Sequence, residues 1–177
     1  SSPSKTVILF LDVDDTLYPY SCGIHDLVHD RILQFVEEKL GFKNPSDMVT
    51  KLYMKYGTTL NGLLHEKLLV PEKHGDPVQV FYGYVHDFEI EKYIKQRNDE
   101  KLIDILQRLI QYQQQLQKIN NENNNIATST YTFHLGVFTN ADKRHMERIL
   151  SYLGIDQFFD SFTYLENLEG HCKPHQD

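Results

Sequence analysis

The chain has 177 residues, with 25 acidic against 18 basic side chains and a formal charge of −7. The two signs are mixed along the sequence with no Lys/Arg run, which argues against a nucleic-acid backbone or an anionic membrane surface as partner. Cys22 and Cys172 form neither a disulfide framework nor a zinc pattern, and no apolar stretch approaches membrane-spanning length, so a cytoplasmic protein with reduced thiols is expected. A chain of this length supports one compact domain, or a core with an inserted cap.

Thr6–Leu11 is a β-prone run that predicts a central parallel strand covered on both faces, its tip at the edge where open α/β sheets bind ligands. Asp12 and Asp14 follow at once. In such a pair one carboxylate can attack phosphorus and the other can trade protons with the leaving and entering oxygens. Two anions beside a phosphate also call for a hard cation such as Mg²⁺. Read without chemistry, Asp14-Asp15-Thr16 is a polar turn that caps the next helix, and a bare Asp-x-Asp would not decide between the two.

Residues 23 to 41 carry Ile24, Leu27, Val28, Ile32, Phe35, Val36 and Leu40 at helical spacing, with a glycine at the stop. Ser46-Asp47 starts a second helical pattern through Val49, Leu52, Tyr53 and Tyr56. Leu60, Leu63, Leu64 and Leu68 suggest a third before Pro71. Residues 18–97 therefore read as a helical insertion.

From Asp99 and Glu100 a long helical pattern runs through Leu102, Ile105, Leu106, Leu109, Ile110, Gln113, Leu116 and Ile119. The Asn/Gln-rich stretch of about 113–130, with Asn120–Asn125 at its centre, is too polar to bury and reads as an inserted surface loop. Phe133–Phe138 predicts a second strand, ending in Thr139-Asn140-Ala141. Met146, Ile149, Leu150 and Leu153 predict a helix closed by Gly154, and Phe158, Phe159, Phe162 and Tyr164 lead into a short third strand. Alternating strands and helices argue a parallel α/β sheet.

The run Asp12-Val13-Asp14-Asp15-Thr16-Leu17 after an apolar strand resembles the first motif of the haloacid dehalogenase-like phosphatases. Thr139-Asn140 resembles their phosphate-gripping second motif and Cys172-Lys173-Pro174 their third. Further segments, Tyr18-Pro19, Gly23-Ile24, Lys55-Tyr56-Gly57-Thr58-Thr59-Leu60, Phe138-Thr139-Asn140-Ala141-Asp142 and Phe158-Phe159-Asp160, are similar to the pyrimidine 5′-nucleotidase branch known in yeast and plants.

That resemblance implies a Rossmannoid core, residues 1–17 plus 98–177, with helices on both faces of the sheet and residues 18–97 as a helical cap. It implies a Mg²⁺-dependent phosphomonoester hydrolase acting on UMP or CMP. Asp12 would be the nucleophile and touch the metal; Asp14 would be the general acid and base and offer the metal its carbonyl. Thr139, Asn140 and Lys173 would hold phosphate, with Thr16 supporting the loop. Asp15, where relatives commonly carry asparagine, would take a capping role. Tyr18, Tyr56, Thr58 and Thr59 would face the base and ribose. The nine histidines would be surface or packing residues, with His25 and His145 close to the motifs. Asp142 would be a first-turn helix acid.

The alternatives are a phosphatase of the same superfamily acting on a sugar phosphate, and a noncatalytic phosphate-binding or interaction module. The family's fourth motif, with the remaining metal aspartates, would lie some tens of residues beyond Lys173. The expectation is thus a chain truncated before it, with weak or no turnover by itself and an unpaired edge on the first strand. The segment Lys95–Asp99 also lacks the Lys-Pro-Asp of relatives. Oligomeric state is open at this stage.

Overall fold

The computed structural model describes residues 5–95, 97–122 and 131–167. Lys173 and Cys172 lie outside these residues, as does the Asn/Gln-rich segment beyond Glu122.

Three strands form one parallel sheet in the order β1 (Lys5–Leu11), β2 (Tyr131–Phe138), β3 (Ser161–Thr163). Leu11 lies level with Val137, and Gly136 with Ser161. Because neighbouring strands run the same way, the residues that follow β1 and β2 emerge at one edge, and the sequence motifs sit there. Gly136 lets the strands approach: a Cβ at this position would lie 2.7 Å from both the Phe10 ring and the Ser161 hydroxyl.

Between β1 and β2 come α1 (Ile24–Leu40), α2 (Ser46–Tyr56), α3 (Thr59–His65), α4 (Pro71–His74), α5 (Pro77–Val85) and α6 (Glu100–Glu122). Helix α7 (Lys143–Leu153) joins β2 to β3. Helix α1 ends where Gly41 takes a left-handed φ of 78° and donates its N–H to the Glu37 carbonyl, with Phe42 bonding back to Val36. At the start of α6 the Asp99 carboxylate accepts the N–H groups of Lys101 and Leu102.

Two apolar clusters organise the packing. One gathers Val13, Leu17 and Ile24 with Leu106 of α6, Leu135 and Val137 of β2, and Met146, Ile149, Leu150 and Leu153 of α7. The other joins Phe35 and Val36 of α1, Val49 and Leu52 of α2, Leu60 and Leu63 of α3, and Phe81 and Val85 of α5. Arg31 ties α1 to the carboxyl end of α5 by donating to the Tyr84 and Val85 carbonyls, two of the acceptors that a helix terminus leaves open.

Three expectations need correction. The first strand is not central and covered: among the described residues β1 is an edge strand, with Val7 47%, Ile8 49%, Leu9 37% and Phe10 47% exposed, residues that alternate between both faces. The Asn/Gln-rich stretch is not a loop from its start, because α6 continues to Glu122. Glutamine is a good helix former, and Leu116 and Ile119 keep the helical spacing going. The third helix stops at His65, short of Leu68. Among the described residues, no helix is long and apolar enough to cross a membrane.

Candidate active site

The turn after β1 is anchored by what it buries. Val13 and Leu17 are sunk in the core, and the Val13 carbonyl accepts the N–H groups of Thr16 and Leu17. This leaves Asp12 and Asp14 on the sheet edge, one on either side of the buried Val13. Asp12 Oδ1 accepts the Val13 N–H at 2.8 Å. Asp15 adopts a left-handed φ of 57°, a conformation aspartate tolerates better than most residues, and its carboxylate meets His25 Nδ1 at 3.0 Å. Among the described residues it caps no helix, which corrects the capping role. Thr16 is exposed and supports the turn through its backbone N–H, with no side-chain hydrogen bond among the described residues.

Thr139 and Asn140 leave β2 beside Asp12. Thr139 is 1% exposed; its N–H donates to the Thr163 carbonyl and its hydroxyl oxygen accepts the Ala141 N–H at 3.1 Å. The Asn140 carbonyl accepts from the Tyr82 hydroxyl at 3.3 Å, which ties α5 to this loop. Asp142 caps α7 by accepting the His145 N–H.

Asp14 is held by two donors on one oxygen. His145 Nε2 lies 2.9 Å and the Tyr18 hydroxyl 2.5 Å from Oδ1. Burial pushes this carboxyl up, but the nearby His145 ring, the hydrogen bonds from His145 and Tyr18, and the more distant His86 outweigh it and hold the group at about 2. Burial first, then Asp14, raises the Tyr18 phenol, so it stays protonated and donates. Behind them His86 Nδ1 bonds the Asp142 carboxylate at 2.6 Å, and the His86 ring stacks on His145 with centroids 4.0 Å apart. Burial, then the His145 ring, lowers His86 to about 4 against the opposing pull of Asp142. His86 is therefore neutral near pH 7 and its Nδ1 carries the hydrogen given to Asp142. Burial pushes Asp142 itself up, but its bond from His86 wins and its carboxyl is lowered.

A cavity of about 340 Å³ opens beside Asp14. Asp14, Tyr18 and His86 line its inner end, Ile24, Val28 and Ile32 of α1 one wall, and Val49, Tyr53 and Thr59 another. Among the described residues its lining includes no lysine or arginine. Of the four residues expected to face base and ribose, Tyr18 and Thr59 reach this cavity. Tyr56 instead stacks on His65 and bonds Glu66, and the Thr58 hydroxyl caps α3 by accepting the Asn61 N–H, so neither lines it.

His86 is the residue that sequence reasoning misses: the sequence offers it only as a surface or packing histidine, whereas it is bonded to Asp142 and stacked on His145. Nothing local marks it, because its partner Asp142 is 56 residues away. His145 carried a faint signal: it lies four residues before Ile149, on the apolar stripe of α7, and is 1% exposed. Asp142 is the helix acid that was expected and also the partner of His86.

The sequence profile of the family described as haloacid dehalogenase-like hydrolase matches residues 7–177. The chain belongs to that family. This hydrolase is 28% identical over 160 residues to "Phosphate metabolism protein 8" of Saccharomyces cerevisiae, which covers 89% of the chain and 43% of the yeast protein. It thus spans less than half of that relative's length. A solved HAD-hydrolase, YfnB of Bacillus subtilis bound to magnesium, aligns over 95% of this chain and 66% of its own with 16% identity. The TM-score of 0.35 makes that superposition too loose to carry an argument.

Magnesium can be tested against the donors present in this hydrolase. Among the described residues no cluster of three or more metal-binding side chains occurs. Asp12 offers a carboxylate and Asp14 a backbone carbonyl, the pair of donors that the family resemblance implies, while the Asp14 carboxylate is held through Oδ1 by His145 and Tyr18. Two hard oxygens at one sheet edge suit part of a Mg²⁺ shell.

Proposed function

We propose that this hydrolase is a Mg²⁺-dependent phosphomonoesterase that works through an aspartyl phosphate, with residues 18–97 as a cap over a core of 1–17 and 98–177. Pyrimidine nucleoside 5′-monophosphates, UMP and CMP, are its favoured substrates. The observation that carries the reading is the shared sheet edge: Asp12 and Asp14 follow β1 while Thr139 and Asn140 follow β2 in parallel register.

In this mechanism an Asp12 oxygen attacks phosphorus as the bond to the nucleoside 5′-oxygen breaks; Asp14, ionised in the empty site, takes up the proton with which the monoanionic ester binds and gives it to that oxygen. Asp14 then takes a proton from a water that attacks the same phosphorus, which returns Asp12 and releases inorganic phosphate. The Thr139 hydroxyl, the Asn140 N–H and Lys173 hold phosphate oxygens as charge spreads over them. When bound, Mg²⁺ held by the Asp12 carboxylate and Asp14 carbonyl offsets the repulsion between carboxylates and phosphate.

Support for a nucleoside leaving group comes from the cavity beside Asp14. Its walls are mainly aliphatic and aromatic, with Thr50, Thr59 and the histidines His25, His29 and His86 to bond a ribose or base edge. Among the described residues the lining carries no lysine or arginine, which supports a leaving group with no second phosphate. A sugar monophosphate would present hydroxyls to Ile24, Val28 and Ile32, which cannot bond them. Phosphate release by the full-length protein from UMP, CMP, AMP and a hexose phosphate, with Mg²⁺ or EDTA, tests the reading. Fastest metal-dependent release from UMP and CMP is expected. Preference for the hexose phosphate would overturn the specificity, and no release from any monoester would favour the noncatalytic module.

A further inference from the structure

We propose that His145 is a positioning residue for Asp14: together with Tyr18 it grips one oxygen of that carboxylate and so assigns proton transfer to the other. The inference rests on the phosphatase reading above and adds residues that none of the motifs contains.

Both donors converge on Oδ1, His145 Nε2 at 2.9 Å and the Tyr18 hydroxyl at 2.5 Å. Oδ2 has no hydrogen bond among the described residues, and 39% of the Asp14 side chain remains exposed at the cavity. A carboxyl group that carries its proton keeps it on the oxygen with fewer donors facing it, because a donor and an O–H pointed at each other repel. Two donors on Oδ1 therefore leave Oδ2 as the oxygen that delivers a proton to a leaving group. Rotation about the bond to Cγ would exchange the two oxygens, and two simultaneous hydrogen bonds oppose it.

His145 is itself held against rotation. Its side chain is 1% exposed, its backbone N–H bonds the Asp142 carboxylate, and its ring lies between His86, 4.0 Å away, and Phe88, 6.0 Å away. Asp142 in turn fixes His86 at 2.6 Å. Nδ1 of His145 is buried without a hydrogen-bond partner among the described residues, so Nε2, on Asp14, is the ring nitrogen that is bonded. A buried polar atom left unpaired carries a cost that a packing role would avoid, since a phenylalanine would fill this space without it. That cost makes sense if the opposite ring nitrogen has work to do at Asp14.

The test compares two monoesters in the full-length protein. The alkoxide leaving from UMP needs a proton, whereas the nitrophenolate leaving from p-nitrophenyl phosphate does not. His145→Ala should lower kcat on UMP by about 10- to 100-fold with KM changed less than about threefold, and should lower kcat on p-nitrophenyl phosphate by less than about threefold. His145→Gln, which keeps an N–H near the Nε2 position, should recover most of the loss and covers the case in which the alanine variant fails to fold. In an Asp14→Asn background, His145→Ala should cost less than about twofold more, because the residue acts through Asp14.

Equal losses on both esters, no recovery with glutamine, or additive losses in the double-variant cycle would overturn the proposal. One readout needs no turnover: a slowly exchanging Nε2–H of His145 should be visible by ¹⁵N NMR and should shift when Asp14 becomes Asn. An unchanged signal overturns the proposal whatever the activity. A protein inert toward every monoester would refute the phosphatase reading instead, and the NMR result would then decide the positioning contact alone.

Discussion

His86 makes the stability of this protein sensitive to mild acid. Its side chain is 9% exposed and its ring is held at about 4, against 6.5 for a free histidine, by burial first and the His145 ring second. As pH falls through 6.5 the unfolded chain takes a proton at this ring, while the folded chain refuses it until pH approaches 4. The unfolded state thus binds more protons across that window, and stability falls as pH falls. A difference of about 2.5 units amounts to roughly 3 kcal/mol in full, of which about 1.4 is lost by pH 5.5 and about 2.5 by pH 4.5. His86→Phe keeps an aromatic ring against Tyr82 and His145 but cannot titrate. Leaving Asp142 without this partner should cost it about 1–3 kcal/mol at pH 7. Urea unfolding at pH 7.0 and 4.5 measures both effects. Wild type should lose about 2.5 kcal/mol more than the variant between the two pH values, with m unchanged. Parallel losses in the two proteins would refute the account of His86 as a buried neutral ring.

Other perturbations act on the sheet and its edge. Asp12→Asn should abolish phosphate release from UMP in the full-length protein while its circular dichroism stays that of wild type; retained turnover would remove Asp12 from the mechanism. Thr139→Ala should lower kcat by about 10²-fold, measured in the same assay, as one donor to the phosphate oxygens is lost. Gly136→Ala would force a methyl to within 2.7 Å of the Phe10 ring and the Ser161 hydroxyl, and should destabilise the fold by about 1–3 kcal/mol in denaturant titration. For the 177-residue chain, Ile8→Lys should reduce self-association in sedimentation velocity, since it puts a charge on the apolar edge strand. Unchanged association would mean that β1 does not mediate it.

The parts of the fold that could be read in advance were those with a local cause. Gly23 and Gly41 bracket α1, Asp99 opens α6, and two apolar strands end in the motif residues. The exposure of β1 was half visible. Its continuous apolar run says that a strand wants cover, but cover depends on which chain segments pack on it, and that is a tertiary fact. The polar tract hid the end of α6 because asparagine and glutamine share a polar look while differing in helix propensity. At the site, Asp12, Asp14, Thr139 and Asn140 stand at the edge where strand periodicity put them. His86 and the walls from Ile24 to Tyr53 became visible only when α1, α2 and α5 were brought over Asp14. Tyr56 and Thr58 show the opposite failure: near the cavity in sequence, they spend their polar atoms on Glu66 and Asn61 instead.

The end of α5 and the start of α7 are stitched together: Tyr82 to the Asn140 carbonyl, His86 to Asp142, and Arg148 to the His86 and Phe88 carbonyls. For anyone recombining caps and cores among such hydrolases, this makes the seam wider than the linker. A graft of residues 18–97 alone would strip Asp142 and Arg148 of their partners and slacken the loop that carries Thr139 and Asn140. On the proposed division into cap and core, the exchangeable module is residues 18–97 together with residues 140–148, and chimaeras cut on that seam should keep their fold where those cut at the linkers lose it.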